Sequence, residues 1–318
     1  MQAKMARPSR FSAHFNRWAV RHGFPVLMKI APRVPRWFAL GGAVVVLRVV
    51  MGLYRAPRRA IARNLARVLV AAPDSRRVRR AVRAMLHRYG HSWVDLFHFA
   101  QLPPQRLLER LEGVEGQEHL DRVLGAGRGL ILLTAHLGAW ELGGVFLRQL
   151  GVPLSVVYVR DAYPGVEEAR RRLRELIGVE GIAIEPGDRL ASLPVLKALR
   201  QGRAVALQGD RDFNDRGRAV EFLGAPAPFP LGPFALARST GAPLLPAFIA
   251  YTPDHGFLLH IEEPIEVEAG ADREHDIARA QERWVRILER AVRRWPTQWY
   301  TFYEPWAAPS VSPAPAAV

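Results

Sequence analysis

Gly129-Leu-Ile-Leu-Leu-Thr-Ala135 runs directly into His136-Leu-Gly-Ala-Trp-Glu141, and the change of character at residue 136 decides the fold. An unbroken aliphatic run with no polar alternation predicts a strand covered on both faces, as in the parallel sheet of an α/β domain. His136 then falls at the carboxyl end of that strand, where α/β sheets gather their ligand-binding groups. A helix is expected over 137–150, with Glu141 in its first turn or just beyond. On a single helix, five positions would set residues 136 and 141 about 140° apart. With His136 ahead of the helix, the strand-to-helix turn brings imidazole and carboxylate together, and the small Gly138 and Ala139 keep the space between them open.

Outward from this stretch, short apolar runs alternate with helical patterns. Strands are expected at 154–159, 204–207, 243–251 and 257–261, and helices at 166–177, 189–201, 231–239 and 272–295. This predicts an α/β domain over 101–306 with a mixed, mostly parallel sheet flanked by helices. Upstream, Ile61, Leu65, Val68 and Leu69 repeat at helical spacing until Pro73. Ser75 is placed to cap a second, longer helix reaching about Ala100. Residues 1–23 read as a basic tail and 24–100 as a basic, helical, membrane-associating region. The Ala/Pro/Ser-rich 307–318 read as a disordered end.

The 318 residues contain no cysteine, which excludes disulfides and thiol chemistry, and carry a net charge of +15. That surplus is N-terminal: the first hundred residues hold 20 Lys/Arg against Asp74 and Asp95 alone. Such a field attracts nucleic acid or an anionic membrane. Interleaved apolar stretches favour the membrane, no nucleic-acid motif is present, and no nucleic-acid partner is expected. Trp37 to Leu47 is free of charge before Arg48 interrupts, whereas a spanning helix wants about 20 apolar residues. An interfacial or re-entrant segment is expected over 36–53, with Trp18, Trp37 and Tyr54 at headgroup depth. The other reading is a buried helix with one paired arginine.

The expected catalytic pair is His136 and Glu141. A carboxylate on one ring nitrogen fixes the tautomer, and the other nitrogen takes a proton from an alcohol. The residues also fit a structural histidine satisfied by a nearby acid. The turn lacks the serine of a nucleophile elbow and a second histidine at metal-ligand spacing, so neither an acyl-serine nor a metal is expected. Gln208-Gly-Asp210-Arg211-Asp212-Phe213 follows another strand and marks the same rim of the sheet. Arg211 is suited to holding a phosphate or an oxyanion, and Asp210 to holding Arg211 or orienting an acceptor. Arg160 follows the strand LSVVYV, and Glu221 follows in the block after Arg211. Arg160, Asp210, Arg211, Asp212 and Glu221 therefore form the expected substrate-binding set, although a surface Asp–Arg turn would look the same. Trp140, Phe146, Phe222, Phe229 and Phe234 are candidates for an acyl tunnel or for plain core.

His136-x4-Glu141 resembles the H-x4-D/E motif of glycerolipid acyltransferases. The block from Asp210-Arg-Asp-Phe213 through GRAVEFLGAPAPFPLGPFALARSTGAPLLPAFIAY, the early RRAIARNLARVL and the closing Pro296-Thr-Gln-Trp-Tyr-Thr-Phe302 are similar to landmarks of the lipid A late acyltransferase family. That family also includes phosphatidylinositol mannoside acyltransferases. The likeness extends over about 24–306. It implies transfer of a fatty acyl chain from an acyl carrier protein or coenzyme A thioester to a hydroxyl of a glycolipid or lysolipid, without a cofactor. It also implies residence at the cytoplasmic face of a bacterial inner membrane. By motif position it makes His136 the general base, Glu141 its orienting partner, and Arg160, Asp210 and Arg211 secondary site residues. Direct transfer would pass through a tetrahedral intermediate held by backbone N–H groups and an arginine. The basic first hundred residues would then serve an anionic membrane surface and steer an acidic carrier protein. The Phe-Pro-Glu-Gly block of glycerophosphate acyltransferases is absent, which argues against glycerol-3-phosphate or simple lysophosphatidate as acceptor.

Overall fold

A computed structural model of the chain describes residues 33–53, 55–99, 103–160, 164–184, 192–212 and 216–306. The tail over 1–23, Trp18, Tyr54, Phe213 and the end 307–318 lie outside the described residues. The main sheet has the strand order β1 (Leu111–Glu115), β9 (Phe257–Ile261), β8 (Leu244–Tyr251), β2 (Leu130–Thr134), β5 (Ala204–Gln208), β3 (Leu154–Val159), β4 (Glu180–Ile184). Neighbours run parallel throughout except β8 and β9, so the sheet is mixed and mostly parallel. The aliphatic run of β2 is explained by its central place. Ile131 and Leu133 face one core and Leu130 and Leu132 the other, and both faces are dry.

Three helices, α1 (Arg36–Leu53), α2 (Arg55–Leu69) and α3 (Arg76–Phe99), precede the sheet, followed by the short α4 (Pro104–Leu108) and α5 (Gln117–Gly125). On one face of the sheet lie Leu107 of α4, Leu120 and Val123 of α5, and Phe146 of α6 (Gly143–Gln149). Helix α7 (Pro164–Leu176) follows β3. The other face is covered by α8 (Ser192–Arg200), α9 (Gly232–Thr240) and α10 (Arg273–Arg294), with Trp284 of α10 fully buried. The Ser75 hydroxyl accepts from the Val78 N–H at 3.2 Å, so α3 begins at the cap the sequence indicates. Apolar stripes of α2 and α3 close on each other and on Tyr300.

Helix α1 packs along α3 and is tied to it by Arg36, whose Nε donates to the buried carboxylate of Asp95 at 2.8 Å. Its outer face leaves Trp37 75% and Phe38 62% exposed, together with Val45, Val46 and Val49. No helix among the described residues is long and apolar enough to cross a membrane.

The structure differs from the expected elements in two ways. The helix expected over 137–150 starts at Gly143, after an irregular turn and a single 3-10 turn at Trp140–Leu142. Gly138 takes the left-handed φ of +63°, and Leu137 and Gly138 form isolated bridges to Trp299 and Ile249. These pairings hold the chain extended where periodicity alone suggested helix. The sheet also gains β1 and β4, and a separate antiparallel hairpin forms from β6 (Arg218–Phe222) and β7 (Ala225–Phe229). The Ala-Pro-Ala-Pro-Phe sequence of β7 hides its strand character, since prolines occupy its exposed positions.

Candidate active site

Strands β2 and β5 are parallel neighbours with Thr134 opposite Gln208. His136 and Asp210 each lie two residues beyond that pair, so adjacent strand ends deliver both side chains to one point on the rim. The Gly209 N–H donates to the Thr134 carbonyl at 2.9 Å and fixes the offset. His136 Nδ1 lies 2.8 Å from Asp210 Oδ1, while Asp210 Oδ2 accepts from the His136 backbone N–H at 3.2 Å and from Trp299 Nε1 at 3.3 Å. The Asp210 side chain has no solvent exposure and that of His136 is 13% exposed.

Burial works to raise the Asp210 pKa. The charge and hydrogen bonds of His136, with the Arg211 guanidinium, outweigh it and hold the carboxyl at about 2. An ionised carboxylate only accepts, so Nδ1 donates to it, and in the neutral ring Nε2 presents a lone pair. Such an arrangement can act as a base towards a hydroxyl or a thiol, with the ring oriented by a buried acid.

The carboxylate on the ring is therefore that of Asp210 and not that of Glu141, which is exposed in the 3-10 turn. This corrects the expected pairing of residues 136 and 141. Gly138 turns left-handed where it passes the backbone of Ile249.

Arg211 lies half-buried beside the pair. Its Nη2 donates to the Tyr300 carbonyl at 2.6 Å, its guanidinium is 5.9 Å from the Tyr303 ring centroid, and its buried Nε has no hydrogen-bond partner. Asp212 Oδ2 accepts from the Gly217 N–H at 2.6 Å, closing the loop after β5. Arg160 is exposed at the end of β3, and Glu221 is exposed on β6 opposite Pro226. Neither makes a hydrogen bond to His136, Asp210 or Arg211 among the described residues, so the structure gathers only part of the expected substrate-binding set at the ring.

Of the aromatic residues considered for an acyl tunnel, Phe146, Phe222, Phe229 and Phe234 are fully buried core. Trp140 alone stands at the site, its ring 5.7 Å from His136 and 5.5 Å from Tyr300.

The segment 298–300, quoted in the sequence only as a landmark, proves to be structural to the site. The Gly138 N–H donates to the Gln298 carbonyl at 2.9 Å, and the Tyr300 N–H donates to the His136 carbonyl at 2.9 Å. Gln298 is itself clamped to the backbone of Tyr251 through both ends of its amide, at 2.8 and 2.9 Å. The N–H groups of Leu137, Gly138 and Ala139 are all committed, to Ala135, Gln298 and Ile249 respectively. The expected backbone oxyanion donors are therefore not free in this turn.

An imidazole backed by a buried carboxylate, with an arginine alongside, can support group transfer to a hydroxyl. Residues 9–307 match the family model described as bacterial lipid A biosynthesis acyltransferase, and the chain belongs to that family. It is 29% identical over 251 residues to a phosphatidylinositol mannoside acyltransferase of Mycobacterium tuberculosis, covering 77% of this chain and 76% of that one. The corresponding protein of Mycolicibacterium smegmatis is 28% identical over 246 residues, covering 77% and 78%. A lipid A biosynthesis acyltransferase of Haemophilus influenzae is 25% identical over 142 residues, covering 44% and 43%. The protein is thus an O-acyltransferase of lipid biosynthesis, acting on a glycolipid or lysolipid with an acyl thioester as donor.

Proposed function

We propose that His136 Nε2 removes the proton of an acceptor hydroxyl as its oxygen attacks the thioester carbonyl. The tetrahedral intermediate then collapses. The carbon–sulfur bond breaks, the new ester stays on the acceptor, and the proton passes from His136 to the departing thiol. Asp210 keeps Nδ1–H in place and stabilises the imidazolium between the two transfers. With the turn's N–H groups committed, the positive charge of Arg211 serves the oxyanion. Protons and leaving group balance without a cofactor. The observation that carries this reading is the 2.8 Å contact between His136 Nδ1 and Asp210, which leaves Nε2 as an acceptor.

The relatives matched over three quarters of the chain favour a membrane glycophospholipid of the phosphatidylinositol mannoside type as acceptor. A lipid A precursor is the second reading, supported by the shorter Haemophilus match. The donor is an acyl thioester of coenzyme A or acyl carrier protein. Purified protein given acyl-CoA or acylated acyl carrier protein and either lipid should release one thiol per acyl chain added, with the product seen by mass spectrometry. No thiol release with any of the four combinations overturns the reading.

An acceptor embedded in a bilayer requires the rim to work at a membrane surface, and we place it at the cytoplasmic face of the inner membrane. The exposed apolar face of α1 and the arginine-rich α2 and α3 suit an anionic interface. Trp37→Ser with Phe38→Ser should cut binding to phosphatidylglycerol vesicles at least roughly tenfold in a sedimentation assay, because two large side chains leave the interface. Activity on a short-chain, water-soluble acceptor should be retained. Unchanged sedimentation would remove α1 from the docking face.

A further inference from the structure

Strand β8 runs parallel to β2, so its carboxyl end opens on the same rim as His136. Beyond it, the turn Thr252–Gly256 meets α3. There three imidazoles gather, tilted against one another. The ring centroids of His87 and His91 are 4.2 Å apart and those of His91 and His255 are 5.3 Å apart. Arg88 joins them. Its Nη1 lies 3.1 Å from His255 Nδ1, its Nη2 donates to the Thr252 carbonyl at 3.3 Å, and its guanidinium sits 5.6 Å from the Tyr251 ring centroid. A guanidinium only donates, so His255 Nδ1 is the acceptor and its other nitrogen carries the hydrogen.

The corner concentrates positive charge. Burial, then Arg88, His255 and Arg48, lower the pKa of His87. Burial, then His87, His255, Arg36 and Arg88, bring His91 down to about 3, and the buried Nδ1 of His91 has no hydrogen-bond partner. The nearby carboxylates are occupied or turned elsewhere. Asp95 is held by Arg36, Glu112 accepts from the Thr252 hydroxyl at 2.8 Å, and Asp254 is exposed. Among the described residues, none of these acids forms an ion pair with Arg48, Arg88 or the three histidines. Tyr89, next to Arg88, continues the wall towards the base: its ring lies 5.1 Å from Tyr300, which touches Trp140 beside His136.

We propose that His87, Arg88 and His255, with Arg48 beside them, form a binding site for a phosphate group of one of the two substrates. This rests on the acyl-transfer reading. A phosphate suits the corner because it offers several acceptor oxygens to a guanidinium fork and to imidazole N–H groups. Both coenzyme A and a glycophospholipid carry such a group, so the shared chemistry is a phosphate ester.

The test is a titration of the full chain with inorganic phosphate, followed by the histidine side-chain nitrogen-15 spectrum at constant ionic strength, with chloride as control. The His87 and His255 signals should shift saturably while His136 stays still. Arg88→Gln should abolish the response and Arg48→Gln weaken it. Arg48 is exposed, so its variant serves if loss of the Thr252 contact unfolds the other. A response that chloride reproduces, or that survives both substitutions, overturns the site.

In steady state, Arg88→Gln should raise one KM roughly tenfold, with kcat held. A rise for acyl-CoA identifies the donor's phosphate, and a rise for the lipid identifies the acceptor's. No rise for either overturns the assignment to a substrate. The titration needs no turnover, so a protein that binds phosphate but transfers no acyl chain sinks the activity and leaves the anion site standing.

Discussion

His136→Ala and Asp210→Asn should each lower kcat by roughly 10²–10⁴, with KM little changed. The alanine variant removes the base. The asparagine variant works through the tautomer. Two donors, the His136 backbone N–H and Trp299 Nε1, face Oδ2 of residue 210. An amide there must turn its oxygen towards them, which points its NH₂ at Nδ1. Nδ1 then has to accept, Nε2 takes the hydrogen, and the ring can no longer receive a proton from the acceptor. Because the two residues act as one unit, the double variant should be scarcely worse than either single one. Asp210, held at about 2, stays ionised around neutral pH, so it should contribute no limb to the activity profile there. Single-turnover measurements of thiol release check all of this. A mild Asp210→Asn beside a crippled Glu141→Gln would return the orienting role to Glu141.

Gly138→Ala should be among the most damaging methyl additions at the described glycines. A Cβ at residue 138 would lie 1.9 Å from the Ile249 carbonyl oxygen, and φ there is +63°. The obstacle is backbone, and that same oxygen already accepts from the Ala139 N–H at 2.8 Å, so nothing flexible can give way. Overpacking and left-handed strain together are expected to cost about 3 kcal/mol or more. Denaturant unfolding should show a large fall in midpoint, and the folded remainder should lack activity because the turn bearing His136 has moved. Gly143→Ala is the comparison: its added Cβ meets only the tip of the Ile249 side chain at 3.2 Å, and stability should change far less. Equal midpoints for the two variants would deny the turn its rigidity.

These two cases mark where the sequence is readable. The aliphatic run into His136 is legible because both faces of β2 are buried, and the position of Asp210 at a second strand end is legible for the same reason. Which acid meets the ring is not. Glu141 is five residues away in the chain and Asp210 is 74, and only the adjacency of β2 and β5 in the sheet makes the distant residue the neighbour. Strand order is a long-range property that local periodicity does not carry. The same limit hides Trp299, whose indole reaches Asp210 from a segment that reads as a loop. The helix misplaced over 137–150 fails differently. Leu137 and Ala139 are good helix formers, Gly138 is a poor one, and cross-chain pairing with residues 249 and 298–299 overrides what their spacing suggests.

The placement of residues 298–300 has a consequence for how the enzyme comes to life. A growing chain that has emerged only as far as α10 already holds every strand of the sheet, the histidine and both acids. It lacks the indole that steadies Asp210 and the two main-chain contacts that set the His136 turn. Nicking just ahead of Gln298 would leave much of the body intact but catalytically slack, so competence waits on the docking of this segment.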